Sequence, residues 1–190
     1  CGAEAAESPQ ALLAAGVDGV VIASSTATHG ELLTAAVEAG IPAFCEKPLA
    51  PTAPGGAELV RRLAGATVPV QVGFQRRFDP GMLAVHAAVQ AGEVGRLHTL
   101  RSTTLDPAPP PRAYIAASGG MYRDCGVHDF DILRWITGRD VVEVYATGSN
   151  KGAAFFTEVG DVDTSAAILT FDDGTLGLVS NTRYNARGYD

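Results

Sequence analysis

Hydrophobic and polar positions alternate along the chain with two different periods. Ser8 and Pro9 form a helix start, and Gly16 is the stop that closes it. Val17 to Ala23 follows as an almost unbroken apolar run with β-branched residues, the pattern of a buried strand covered on both faces. Thr28 to Ala39 places Leu32, Leu33, Ala36 and Val37 at helical spacing and ends at Gly40. Ile41 to Cys45 predicts a second short strand, Gly55 to Ala64 a helix, and Val70 to Phe74 a third strand. That order is one half of a doubly wound parallel sheet.

The second half of the chain reads differently. Asp79-Pro80 opens a helix running to about Ala91, and Arg96 to Thr104 alternates as a strand. Pro107 to Pro111, with four prolines in five positions, lacks backbone donors and predicts an extended loop. A single helix is expected from Met121 to Thr137, closed by Gly138. Val141 to Gly148, Thr164 to Phe171 and Thr175 to Asn181 predict antiparallel strands, the last two joined at Asp172-Asp173-Gly174. The fold class is therefore α/β then α+β: a partial doubly wound parallel sheet over 1–76 and a mixed or antiparallel sheet domain over 77–190.

Composition narrows the function classes. The 190 residues carry 46% hydrophobic and 18% charged positions, which excludes intrinsic disorder of the whole chain. No apolar run approaches the ~20 residues of a membrane span, and Cys1 to Gln10 lacks the basic and apolar regions of a secretion signal. A cytoplasmic location is the expectation. A net charge of −7 leaves Arg76-Arg77 as the nearest approach to a basic cluster, so no nucleic-acid partner is expected. The three cysteines have no C-x-x-C spacing and predict neither a disulfide framework nor a metal cage.

Candidate chemistry gathers at three places. On one continuous helix Asp124, His128 and Asp131 fall within about 60° of each other, so an aspartate one turn below a histidine can orient its imidazole for acid–base work. A solvated polar face with an i, i+4 ion pair is the alternative. Glu46-Lys47-Pro48 lies at the carboxyl end of the second predicted strand, where ligands of open α/β sheets bind. Ser25, Thr26 and His29 open the preceding helix, where backbone N–H groups and a hydroxyl meet an anionic or hydroxylated ligand. Arg76-Arg77 follows the third strand at the same end; His86 and His98 have no polar partner at regular spacing and read as structural.

Three motifs in order, STATHGELLTAAVEAGIPAFCEKPLA, VQVGFQRRFDPG and SGGMYRDCGVHDFDILRWITG, resemble the Gfo/Idh/MocA family of nicotinamide-dependent oxidoreductases. The segments around DPAPPP and the tail from Gly160 are most similar to inositol 2-dehydrogenases. The resemblance implies a Rossmann domain followed by a substrate-binding and oligomerisation domain, with NAD as cofactor and NADP not excluded. It also implies an inositol or related cyclic polyol or sugar as substrate, and a homodimer or homotetramer. By the same resemblance Lys47, Asp124 and His128 are catalytic. Ser25, Thr26, His29, Glu46, Lys47 and Arg76 line the cofactor, while Lys47, Arg76, Asp106, Asp124, His128, Asp131 and Tyr189 face the substrate. His128 is then the base for a hydroxyl proton, and Lys47 stabilises charge developing on that oxygen.

The sequence departs from the family in carrying no G-x-G-x-x-G. Set against the family, it reads as an internal fragment that alone binds dinucleotide weakly, and the strand at Val17 to Ala23 is left as an exposed, pairing-prone edge. The alternative function is a truncated, non-catalytic sugar-binding or oligomerisation module; a dehydratase, glycosidase or aldose oxidoreductase using the same histidine and lysine is a third.

Overall fold

The computed structural model of the chain describes residues 2–187, so Tyr189 lies outside the described residues. Two compact units form, Cys1–Gly73 and Phe74–Asp190. Arg76, which the sequence pattern assigns to the first domain, folds with the second unit, where its ion-pair partner resides.

In the first unit β1 (Val20–Ile22), β2 (Ala43–Cys45) and β3 (Val70–Val72) pair in parallel in that spatial order. The helices are α1 (Pro9–Ala14), α2 (Thr26–Glu38) and α3 (Ala53–Leu63). Ser8 and Thr52 cap the first and third: their hydroxyl oxygens accept from Ala11 N at 3.1 Å and Gly55 N at 3.2 Å. Ile22, Leu33, Ala36, Ala43, Cys45 and Leu59 form the core under α2 and α3. Burial, with the Glu46 charge adding to it, pushes the Cys45 thiol up to about 11.

The expectation of a first strand covered on both faces fails. Val21 is 74% exposed and Gln71 is exposed, whereas Ile22, Ala43 and Cys45 are buried. Right-handed β-α-β crossovers that advance in one direction put α2 and α3 on the same side of the sheet. β1 is also an edge strand. We expect the 190-residue chain to self-associate through this edge at high concentration, and Val21→Lys to suppress that association. Sedimentation velocity of the two proteins checks this, and a monodisperse parent chain would refute it.

In the second unit a short 3-10 turn (Gln75–Phe78) leads into α4 (Pro80–Gln90), whose N-terminus is capped by Asp79 Oδ1 at 3.0 Å from Met82 N. β4 (Thr99–Leu105), α5 (Arg112–Ala117), α6 (Met121–Asp124), α7 (Gly126–Thr137), β5 (Val141–Ser149), α8 (Phe155–Glu158), β6 (Thr164–Phe171) and β7 (Leu176–Thr182) follow. The mixed sheet has the order β4-β7-β6-β5, with β4 parallel to β7 and the other pairs antiparallel. Gly174, at φ +85°, turns the β6–β7 hairpin that Asp172-Asp173-Gly174 predicts. Leu133 and Phe130 of α7 cover one sheet face over Ala167, Leu169, Phe171 and Val179. On the other face Tyr145 pairs with Ile168, Ile168 with Leu178 and Leu178 with Arg101, and Tyr145 and Ile168 are 69% and 45% exposed.

Two details differ from the pattern. The proline run ends in a helix, α5, because Pro111 stands at its N-cap, the cap position that follows the extended segment. The single helix expected over 121–137 is broken at Cys125 into α6 and α7, with Gly126 packed against Phe130 and Asn181. A Cβ at Gly126 would stand 3.2 Å from the Phe130 ring, so this junction admits only a glycine without adjustment.

Asp163, fully buried, ties the β5–β6 connection together. Its Oδ2 accepts from Lys151 N at 2.8 Å and Gly152 N at 2.7 Å, and Oδ1 accepts from the Thr164 hydroxyl at 2.9 Å. Burial pushes this carboxyl up, but the Gly152, Lys151 and Thr164 hydrogen bonds outweigh it and hold it below the usual aspartate value. A depressed native carboxyl adds stability that is complete above the unfolded pKa of about 3.9 and is lost as pH falls through the native value. Urea unfolding at pH 6 and pH 3 is expected to show a smaller acid loss in Asp163→Asn than in the parent; equal losses would contradict this. Among the described residues no helix is long and apolar enough to cross a membrane.

Candidate active site

Each unit carries its own cluster of functional groups. In the first unit these sit at the carboxyl ends of β1 and β2. Ser25 is the N-cap of α2 and makes no side-chain cap bond; the Thr28 N–H donates to Ser25 O at 2.9 Å, which leaves the Thr26 and Ala27 N–H groups at the start of this 13-residue helix as the ones suited to an anion. Ser24 Oγ and Thr28 Oγ1 are 2.7 Å apart, and Thr28 Oγ1 donates to Ser25 O at 2.9 Å. Ser24 and Ser25 are exposed, and Thr26, Glu46 and Lys47 are half-buried. Glu46 Oε2 accepts from Lys47 N at 3.3 Å, which shapes the turn bearing the lysine.

His29, expected at the cofactor crevice, is buried beneath the turns that follow β1 and β2. It is 1% exposed, with Nδ1 2.8 Å from Pro48 O and Nε2 3.0 Å from Ser24 O. A neutral imidazole donates to one of these carbonyls and an imidazolium to both. In either form the ring ties the turn after β1 to Pro48 in the turn after β2.

The second unit holds two buried polar clusters. Asp129 is fully buried on α7. Its Oδ1 accepts from Arg76 Nη1 at 2.9 Å and Ser102 Oγ at 2.5 Å, and its Oδ2 from Asn181 Nδ2 at 2.6 Å and Thr104 Oγ1 at 3.0 Å. Arg76 Nη2 also donates to Thr104 Oγ1 at 2.8 Å, so this arginine, expected on ligand, is anchored in the unit's interior with its side chain 12% exposed. Its neighbour Arg77, which the sequence did not separate from it, is 39% exposed and forks onto Asp131: Nε to Oδ2 at 2.8 Å, Nη2 to Oδ1 at 2.5 Å. Hydrogen bonding to Asp131 raises the Arg77 guanidinium above its ordinary value against the effect of burial.

The other cluster surrounds Asp124. Tyr114 Oη donates to its Oδ1 at 2.8 Å and Arg183 Nη2 to its Oδ2 at 2.7 Å, while Arg183 Nη1 donates to Asp106 Oδ2 at 2.7 Å. Burial and the hydrogen bond to Asp124 push the Tyr114 phenol up to about 12. The Cys125 thiol reaches about 12 through burial, partly offset by Arg183. His128 is half-buried one turn into α7, and the Phe74 ring meets its imidazole edge-on at 6.5 Å between centroids. Asp124 and Asp131 thus belong to different ion pairs. His86 stacks on Trp135 at 3.9 Å, the structural role expected of it.

Comparison with known proteins follows the two units. A model described as "Oxidoreductase family, NAD-binding Rossmann fold" matches residues 1–74, and "GFO/IDH/MocA C-terminal domain" matches residues 82–190. The chain belongs to the Gfo/Idh/MocA family. Within that family it is 42% identical to the myo-inositol 2-dehydrogenase of Thermotoga maritima, over 92% of this chain and 52% of the relative. The crystal structure of a myo-inositol dehydrogenase from Corynebacterium glutamicum superimposes with a TM-score of 0.93 at 41% identity, covering all of this chain and 57% of that one. A scyllo-inositol dehydrogenase from Lactobacillus casei, solved with bound NAD(H) and scyllo-inositol, gives 0.81 at 28% identity over 97% of this chain and 55% of that one. The chain therefore spans about half the length of the Gfo/Idh/MocA relatives it matches. Its first unit is Rossmann-like and its second is the family's mixed-sheet domain.

Proposed function

We propose that this chain forms part of an NAD-dependent dehydrogenase that oxidises a secondary alcohol of inositol or a related cyclic polyol or sugar. The observation that carries the reading is the second unit's set of fixed charged side chains, Asp124 held by Tyr114 and Arg183, Asp106 by Arg183 and Asp131 by Arg77, with His128 on the same helix, α7, as Asp131. A cyclic polyol offers a ring of hydroxyls, and such a set of fixed donors and acceptors is its complement. The 42% identity to a myo-inositol 2-dehydrogenase supports the same class.

The first unit's residues fit a dinucleotide at the carboxyl ends of its strands: the Thr26 and Ala27 N–H groups at the start of α2 would meet an anionic group, with the Ser25 and Thr26 hydroxyls beside it. A nicotinamide held there would supply the hydride acceptor for the alcohol carbon. His128 takes the hydroxyl proton, and Asp124 stabilises the imidazolium that results. The Lys47 ammonium stabilises charge developing on the substrate oxygen. The two buried thiols support a reducing, cytoplasmic setting. The exposed sheet face bearing Tyr145, Ile168 and Leu176 supports assembly into a homo-oligomer.

The test is a chimera in which residues 1–190 replace the matching stretch of the Thermotoga maritima myo-inositol 2-dehydrogenase. NADH formation with myo-inositol or scyllo-inositol is expected. A folded chimera that binds NAD+ yet oxidises neither polyol would overturn the reading.

A further inference from the structure

β4 and β7 run in parallel and end in register at Leu105 and Thr182. The next residues of both strands, Asp106 and Arg183, are therefore delivered side by side, and Asp106 N continues the ladder onto Thr182 O at 2.9 Å. On its other side Arg183 N donates to Asp163 O at 2.8 Å, so the backbone of the arginine is fixed from two strands. Its side chain, 4% exposed, has one Nη on Asp106 and the other on Asp124, the last residue of α6. The buried Nε finds no acceptor among the described residues, so the orientation of the fork is set by the two carboxylates. Tyr114 of α5 holds the second oxygen of Asp124.

We propose that Arg183 is a positioning residue for catalysis: with Tyr114 it locks the Asp124 carboxylate in one rotamer, and it does so only because a planar guanidinium bridges two carboxylates at once. This rests on the dehydrogenase reading above. Burial acts against the charge on Arg183, yet its hydrogen bonds to Asp124 and Asp106 hold the guanidinium above the ordinary arginine value, so it is a permanent cation there. A lysine at this position keeps the charge, but its compact ammonium lacks the planar fork that reaches both carboxylates with fixed geometry.

Arg183→Lys decides the matter in two settings. In the inositol dehydrogenase chimera we expect kcat to fall by about a hundredfold, as a small misplacement of an orienting group does, while KM for NAD+ stays within about twofold. The variant is compared at temperatures where circular dichroism shows it fully folded. A wild-type kcat in a folded Arg183→Lys variant overturns the proposal. In the 190-residue chain itself, a crystal structure of Arg183→Lys is expected to show the Asp124 carboxylate turned away from Tyr114. An unmoved Asp124 overturns the proposal there too, even if the unaltered chimera oxidises no polyol, a result that would count against the function reading alone.

Discussion

Asp129→Ala is expected to destabilise the second unit by about 3–5 kcal/mol, the cost of removing one partner of a buried ion pair. Asp129 is fully buried and receives donors from four side chains on three other segments: Arg76, Ser102, Thr104 and Asn181. Alanine leaves a buried guanidinium, a carboxamide and two hydroxyls facing a void, and each unsatisfied donor carries its own desolvation penalty. Trp135, the sole tryptophan, lies on the same helix as Asp129, so urea unfolding followed by its fluorescence reports on this unit. Asp129→Asn keeps the volume and separates the loss of charge from the loss of packing. A loss below about 1 kcal/mol in the alanine variant, the level of an exposed pair, would show that the network is not a stabilising centre.

His128→Asn is the second large effect. If the imidazole is the base for the hydroxyl proton, its replacement in the inositol dehydrogenase chimera should lower kcat by about 10²–10⁴-fold, the range for a positioned general base. Stability should change little by comparison, because His128 is half-buried, unlike the fully buried Asp129. Unaltered turnover would move the proton-transfer role to another residue, and unchanged stability with lost turnover would confirm that the histidine works on substrate.

The helices and strands of this chain were legible where a local signal existed. Ser8, Thr52 and Asp79 cap helices that the sequence placed within a few residues, and Asp172-Asp173-Gly174 marks its hairpin. The break at Cys125 was not legible from local pattern; Gly126, the residue after it, lies close to Asn181, a residue far along the chain. The same holds for the polar clusters. Spacing selects Asp124, His128 and Asp131, but Asp129, at the wrong angle for that face, is the residue that knits α7 to β4 and β7. The adjacent pair Arg76-Arg77 was visible as a pair; only the fold assigns the first to Asp129 and the second to Asp131. Arg183 has no neighbour in sequence that signals its role, since its two carboxylates come from the end of β4 and from α6.

Cys45 and Cys125 place one shielded thiol in each unit, 0% and 6% exposed, and burial keeps both protonated near neutral pH at about 11 and about 12. An alkylating reagent attacks the thiolate, so each cysteine is labelled only when its own surroundings open. The chain thus carries a built-in pair of clocks: mass spectrometry of the Cys45 and Cys125 peptides during timed alkylation reads the opening frequency of the Rossmann-like unit and of the mixed-sheet unit separately, in one sample and without any mutation.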